Sequence, residues 1–170
     1  EISMPTEFAR HVFDAIAHAG ASYGLRLVGM QAMESLRLEK AYRHFGHDIS
    51  DDDHVLEAGL GFAVKLDKPR SAIGDFIGRE AVLSKRSRGL SRRLLQFKLQ
   101  DPEPLLYHSE PIIADGELVG YLTSGAYGHT LGGAVGLGYV SCRRGETAEA
   151  LLSRRYEIEV AGRTVPAIAS

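Results

Sequence analysis

Met33-Glu34-Ser35-Leu36-Arg37-Leu38-Glu39-Lys40-Ala41-Tyr42-Arg43-His44-Phe45-Gly46-His47-Asp48-Ile49, and then Leu56-Glu57-Ala58-Gly59-Leu60-Gly61-Phe62-Ala63-Val64, form the most informative stretch of this chain. The first half reads as a charge-laced helix from about Met30 to Arg43, with Met33, Leu36 and the stem of Lys40 along one side. Glu39 and Arg43 stand at i,i+4, the spacing at which opposite charges meet on a helix, and Gly46 is the stop signal. Asp51-Asp52-Asp53 reads as a solvated turn before the second, short apolar segment.

Upstream, Pro5-Thr6 opens another helix, with Thr6 able to cap the free amides and Phe8, Val12, Ile16 and Ala19 as its apolar stripe. Gly20 is the expected end, with His18 in the last turn. Glu1-Ile2-Ser3-Met4-Pro5 reads like the end of a strand. Downstream, Asp75 to Leu83 predicts a third helix, and the basic, non-periodic Lys85-Arg86-Ser87-Arg88-Gly89 reads as a linker.

Beyond that linker the period changes from 3.6 to 2. Leu95, Phe97 and Leu99 alternate with Leu94, Gln96 and Lys98, as in a half-buried strand. Pro111–Ala114 and Glu117–Leu122 flank Asp115-Gly116, the signature of a type I′ hairpin. Glycines recur from Gly120 to Gly138 among β-formers, and Tyr156–Val160 with Arg163–Ile168 predicts a further hairpin around Gly162. Closely spaced strands of this kind favour a small antiparallel barrel or sandwich. The fold class is therefore α+β, with helices first and an all-β segment after them.

At 170 residues the chain can form one good core or two small ones. A net charge of −2 gives no electrostatic footprint for nucleic acid, and no apolar run approaches the roughly 20 residues that span a bilayer. Cys142 is the single cysteine, so a disulfide framework is excluded and a reducing compartment is expected: cytoplasmic, or the mitochondrial matrix in a eukaryote. The first residue is Glu1 rather than Met, no signal peptide is seen, and both ends read as those of a segment of a longer polypeptide. His44, His47 and His54 beside Asp48, Asp51 and Asp53 invite a metal reading, but the acidic turn is ordinary loop chemistry and no metal site is assigned. The glycine-rich Gly120–Gly138 lacks the Lys-Ser/Thr that completes a phosphate loop; barrel corners and bulges account for it better. Cys142 has no His partner that would mark a nucleophile.

Taken in order, Leu36-Arg37-Leu38-Glu39, Leu56-Glu57-Ala58-Gly59-Leu60, Glu110-Pro111-Ile112, Asp115-Gly116, Val119-Gly120, Thr123-Ser124-Gly125 and Gly138-Tyr139-Val140 resemble one family. It is that of the folate-binding aminomethyltransferases (T-protein of glycine cleavage) and their relatives fused to flavin dehydrogenases of N-methylated glycines. The resemblance implies the distal part of a folate-binding domain over residues 1–86 and a carboxy-terminal β-barrel over 90–170.

It also implies site residues. Glu1 matches the family glutamate that grips the pterin ring, where an ionised carboxylate accepts both N3–H and the 2-amino group as a fork. Phe62 falls where the family places an aromatic against the folate, tryptophan in glycine-cleavage members. Arg37 would lend polar support, although in isolation Arg37 and Glu39 read as a salt-bridged solvent face. Met33-Glu34 replaces an arginine and aspartate of the glycine-cleavage members, whereas Leu38–Arg43 followed by Gly46-His47-Asp48 resembles the dehydrogenase branch.

The resemblance thus implies the tetrahydrofolate-binding portion of a flavin-dependent dimethylglycine or sarcosine dehydrogenase, capturing the oxidised methyl carbon as 5,10-methylenetetrahydrofolate. Partners would be folate and the rest of the parent polypeptide or a flavin subunit. The family's catalytic aspartate and FAD site lie upstream, so no catalytic residue is assigned and the segment alone is expected to be inactive. The alternatives are a glycine-cleavage aminomethyltransferase, a folate-dependent demethylase, or a non-catalytic scaffold or docking module.

Overall fold

The alternation read in Arg92–Leu99 belongs to the first strand of a closed barrel. The computed structural model describes residues 1–66, 76–143 and 145–170. They divide into two units, Glu1–Met33 and Glu34–Ser170.

In the first unit Thr6–Phe8 is a single 3₁₀ turn that leads into α1, Ala9–Gly20. Thr6 caps nothing: Phe8 stands at the N-cap position without a side-chain hydrogen bond. α1 ends at Gly20 as expected, although Gly20 keeps right-handed dihedrals and a second 3₁₀ turn, Ala21–Tyr23, follows. The stop is Gly24, at φ 72°, a left-handed conformation that glycine adopts without a Cβ penalty. Gly20 is glycine for a different reason: a Cβ there would lie 2.5 Å from the Leu25 side chain. Among the described residues no segment pairs with Glu1–Pro5, which is therefore not a strand here.

Helix α2, Met30–Glu39, stops four residues short of the expected Arg43. The amide of Tyr42 donates to Arg37 O at 2.9 Å and that of Ala41 to Leu38 O at 3.0 Å, a Schellman closure with Ala41 at φ 54°. Its buried face is also not the expected one. Ser35 and Leu38 are buried, while Met33 and Leu36 stay exposed. Leu38 packs with Leu94, Val135 and Leu137 on the outer surface of the barrel wall.

Helix α3, Arg79–Arg88, takes in most of the segment read as a linker, and only Gly89, at φ 87°, breaks it. Lys85, Arg86 and Arg88 fall in its last turn, where cations suit the helix dipole. The expected start at Asp75 lies outside the described residues.

The strands are β1 Arg92–Leu99, β2 Pro111–Ala114, β3 Glu117–Gly128, β4 Gly133–Ser141, β5 Tyr156–Val160 and β6 Arg163–Ala169, with the short α4 Ala148–Leu152 between β4 and β5. They close in the order β1-β4-β3-β2-β5-β6, all neighbours antiparallel. Closure leaves no free sheet edge. The β2–β3 hairpin turns through Asp115 and Gly116 at φ 53° and 87°, the expected type I′ geometry. Leu95, Phe97 and Leu99 point into the barrel, where Phe97 meets Tyr156 edge-to-face at 5.2 Å.

Two glycines of β3 and β4 are required by the approach of neighbouring strands. A Cβ on Gly120 would stand 1.8 Å from Tyr139 O, and one on Gly138 would stand 2.7 Å from Tyr121 O. Gly120→Ala should therefore destabilise the barrel by about 1–3 kcal/mol, the cost of forced overpacking. Gly29→Ala, where a Cβ meets nothing within 4 Å, should stay within about 0.5 kcal/mol of the parent. Urea midpoints of the two variants check this, and equal midpoints would refute it.

Candidate functional site

The early end of α2 turns the chain into a loop that is fastened to the barrel at two points. The first is Asp48, whose side chain is fully buried. One oxygen, Oδ2, accepts from the amide of His44 at 2.9 Å and from the Arg37 guanidinium. The other, Oδ1, accepts from the hydroxyls of Thr123, at 2.6 Å, and Ser124. Consecutive residues of a regular strand point to opposite faces, so two neighbouring hydroxyls can reach one oxygen only where the strand is irregular. The β3–β4 register shifts between Leu122 and Ser124, and this bulge aims both hydroxyls at Asp48.

Arg37 is fully engaged by this arrangement. Its Nε and Nη2 form a fork on Glu34 Oε2 at 2.6 and 2.5 Å, and Nη1 reaches Tyr42 O at 3.1 Å as well as Asp48. Glu34 Oε1 in turn contacts His44 Nδ1 at 2.9 Å. The i,i+4 pair expected between Glu39 and Arg43 does not form. Glu39 accepts from the amide of Thr130 at 2.6 Å, and Arg43 donates to Ala58 O and Ala41 O. Once the helix ends at Glu39, the two residues no longer share a helical face.

The second fastening is Glu57, nearly buried, which takes Lys85 Nζ at 2.6 Å, Ser91 Oγ at 2.9 Å and Arg92 Nε at 3.2 Å. Arg92 also donates to Asp53 at 2.7 Å and lies over the Tyr139 ring, 4.4 Å from its centroid. Between and beyond these anchors, the loop ends in a 3₁₀ turn, Gly61–Ala63, that presents Phe62 to solvent with 80% of its surface exposed.

Burial pushes the Asp48 carboxyl up, but the Ser124 and Thr123 hydroxyls, the His44 amide and the Arg37 charge together hold it below the usual range. Burial likewise opposes ionisation of Glu57, and Lys85, Ser91 and Arg92 overcome it to hold the carboxyl at about 2. Both groups are structural anions at neutral pH.

Of the three residues expected to contact folate, Phe62 is an exposed aromatic on a fastened turn, and Arg37 lies mostly buried within the clamp. Glu1 lies in the other unit, exposed at the chain's start. Arg37 and Phe62 share a unit, but the Arg37 donors point to Glu34, Asp48 and Tyr42 O. Among the described residues no three His, Cys, Asp or Glu side chains converge as a metal site requires. His44 faces Glu34, with the His47 ring 4.6 Å away, and His54 Nδ1 accepts the Leu56 amide at 3.1 Å. Sequence reasoning missed the part played by Asp48. The available signal was Thr123-Ser124, two hydroxyls within an apolar strand, which call for a buried polar partner.

The GCVT N-terminal domain matches residues 1–68, and the glycine cleavage T-protein C-terminal barrel domain matches residues 92–170. The chain belongs to the aminomethyltransferase (glycine cleavage T-protein) family. It is 40% identical to the 4-methylaminobutanoate oxidase (formaldehyde-forming) of Paenarthrobacter nicotinovorans over 98% of this chain and 19% of that protein. It is 36% identical to human mitochondrial dimethylglycine dehydrogenase over 92% of this chain and 17% of that protein. The crystal structure of the glycine cleavage system aminomethyltransferase T of Bartonella henselae superposes with a TM-score of 0.75 at 26% identity, covering 96% of this chain and 43% of that one. The chain thus spans less than half the length of each of these relatives. Among the described residues no helix is long and apolar enough to cross a membrane.

Asp48→Asn should cost about 3–5 kcal/mol, because it leaves the mostly buried Arg37 charge short of a carboxylate. Ser124→Ala should cost about 1 kcal/mol, one hydrogen bond of several. Denaturant titration ranks the two, and the reverse order would refute the clamp.

Acid should act through Glu57. Its folded value of about 2 lies below the ordinary 4.5, so its stabilisation is complete above about pH 4.5 and is lost as pH falls towards 2. Urea midpoints should fall across that window by an amount corresponding to at most about 3 kcal/mol. Glu57→Gln should be less stable at neutral pH and flatter in acid; an unchanged acid slope would refute the assignment.

Proposed function

We propose that this chain is the tetrahydrofolate-binding portion of a flavin-dependent dehydrogenase of N-methylated glycines, of the dimethylglycine or sarcosine type. It would receive the oxidised methyl carbon as 5,10-methylenetetrahydrofolate. The observation that carries the reading is the alignment of nearly the whole chain with under a fifth of a formaldehyde-forming 4-methylaminobutanoate oxidase and of dimethylglycine dehydrogenase. Met33-Glu34, in place of the arginine and aspartate of glycine-cleavage members, points the same way.

The reading asks a flat, polar-edged ligand to meet an aromatic face and a carboxylate. Phe62 offers an uncovered ring face on a turn held by Asp48 and Glu57. Stacking on such a face contributes about 0.5–1.5 kcal/mol beyond area burial. Glu1 carries an exposed carboxylate that can accept two parallel N–H donors, each bond contributing about 1.5–3 kcal/mol. Arg37 has its donors committed inside the clamp, so its part in this reading is to hold the loop that carries Phe62. Tetrahydrofolate supplies, when bound, the nitrogens that take up one carbon at the oxidation level of formaldehyde. The chain's own contribution is binding and orientation, and amine oxidation by FAD is assigned to another part of the parent polypeptide or to a flavin subunit.

The test uses the parent protein. Glu1→Gln keeps the shape and loses the charge, and should weaken folate binding roughly tenfold to a hundredfold. Phe62→Ala should cost about 0.5–1.5 kcal/mol through lost stacking. Stopped-flow flavin bleaching by the amine should stay unchanged in both variants, while free formaldehyde rises at the expense of 5,10-methylenetetrahydrofolate. Unaltered folate affinity and product ratio in Glu1→Gln would overturn the pterin assignment.

A further inference from the structure

Arg92 and Arg93 are neighbours in β1, so their side chains leave the strand on opposite faces. Arg92 joins Glu57 and Asp53 on the outer face. Arg93 has the parity of Leu95, Phe97 and Leu99, which fill the barrel, and it stands at the barrel's end, opposite Val140. There it borders an open cavity of about 330 Å³, together with Arg86 from the last turn of α3, Arg143 after β4, and Cys142, which packs against the inner core.

The charge balance of this mouth is lopsided. Among the described residues its lining has one carboxylate, Glu146, which is held by Arg154 Nε and Nη2 at 2.9 and 2.6 Å and also accepts the Arg143 amide at 2.9 Å. Arg154 thus neutralises Glu146 from outside the cavity. Among the described residues, the guanidinium groups of Arg86, Arg93 and Arg143 form no ion pair with a carboxylate, although the Arg143 charge helps to hold Glu146 ionised. Three unpaired cations around one concavity repel each other, and an anion placed among them relieves that repulsion. Guanidinium groups are the side chains best shaped for fork-like contacts to carboxylate or phosphate oxygens. Gly89 and Gly145 leave part of the wall without side chains, and barrel mouths are common ligand positions.

We propose that this mouth is an anion-binding site for a small ligand bearing carboxylate or phosphate groups, held by Arg86, Arg93 and Arg143. The proposal does not depend on the folate reading.

Amide NMR of the whole chain tests it, with Gly89 and Gly145 as reporters and inorganic phosphate and citrate as probes. Sodium chloride at matched ionic strength is the control. Saturable shifts of both glycines with phosphate or citrate, and none with chloride, are expected; the probe that saturates at lower concentration identifies the phosphate or carboxylate source. Arg93→Gln should weaken that binding about tenfold. The exposed Arg86→Gln and Arg143→Gln provide the same test should Arg93→Gln misfold. Alkylation of the single Cys142 by neutral iodoacetamide should slow when the site is filled. Shifts that follow ionic strength alone, affinities untouched in all three variants, or an unprotected Cys142 would each overturn the proposal.

Discussion

A buried carboxylate has to be satisfied or it unfolds its surroundings, and that constraint on Asp48 shapes the second unit. Desolvating an ion costs several kcal/mol, and here the cost is offset by a guanidinium, a backbone amide and two hydroxyls at once. Each donor imposes a structural condition. The hydroxyls need the bulge in β3. The amide of His44 needs the chain to have left α2 by Ala41. The guanidinium needs Glu34 to hold it by its other edge. The bulge and the left-handed Ala41 cost local strain, and both are held by bonds that run through Arg37 or Asp48. Helix end, loop and barrel wall therefore form one cooperative unit.

That unit also fixes where an exposed phenylalanine stands. An aromatic ring in water normally costs solubility and gains nothing, and its position on a loop would ordinarily be variable. Here the loop is tied down by Asp48, and Glu57 ties it again through Lys85, Ser91 and Arg92. A binding group works best when its supporting shell fixes it. Arg37 contributes to such a shell through its bonds to Glu34, Tyr42 O and Asp48, a role that a search for ligand contacts alone would overlook.

The parts of the fold legible in the sequence were those set by local rules. Asp115-Gly116 fixes its hairpin because few residues tolerate two successive positive φ values, and the alternation in Leu95–Leu99 follows from the pleat of a barrel wall. The parts that were not legible are those in which distant contacts override local preference. Leu38 faces the barrel, rather than Met33 and Leu36, because Leu94, Val135 and Leu137 wait there, far along the chain. Ala41 ends α2 in a conformation for which sequence reading expects glycine, and Arg37 and Arg43 bonding to the freed carbonyls sustains it. Lys85 continues a helix where composition suggested a linker, because its ammonium meets Glu57. Of the candidate site, Phe62 was proposed from its place in a motif, and its exposure on the Gly61–Ala63 turn is what the structure adds. Asp48 was not singled out, since the only sign of it was the hydroxyl pair Thr123-Ser124, far along the chain.

The dipeptide Arg92-Arg93 shows how one strand serves two environments. The two residues are chemically identical and adjacent, and the pleat alone separates them. Arg92 meets two carboxylates and an aromatic face, so its charge is answered within the fold. Arg93 turns into a mouth where Glu146, the carboxylate lining it among the described residues, is already answered by Arg154. A charge that the fold does not balance is a charge left for something else to balance. The excess at Arg86, Arg93 and Arg143 is for that reason more informative than the larger number of cations that are paired elsewhere. The barrel thus braces the Phe62 loop on its outer wall through Arg92, while an electropositive environment opens at its end through Arg93.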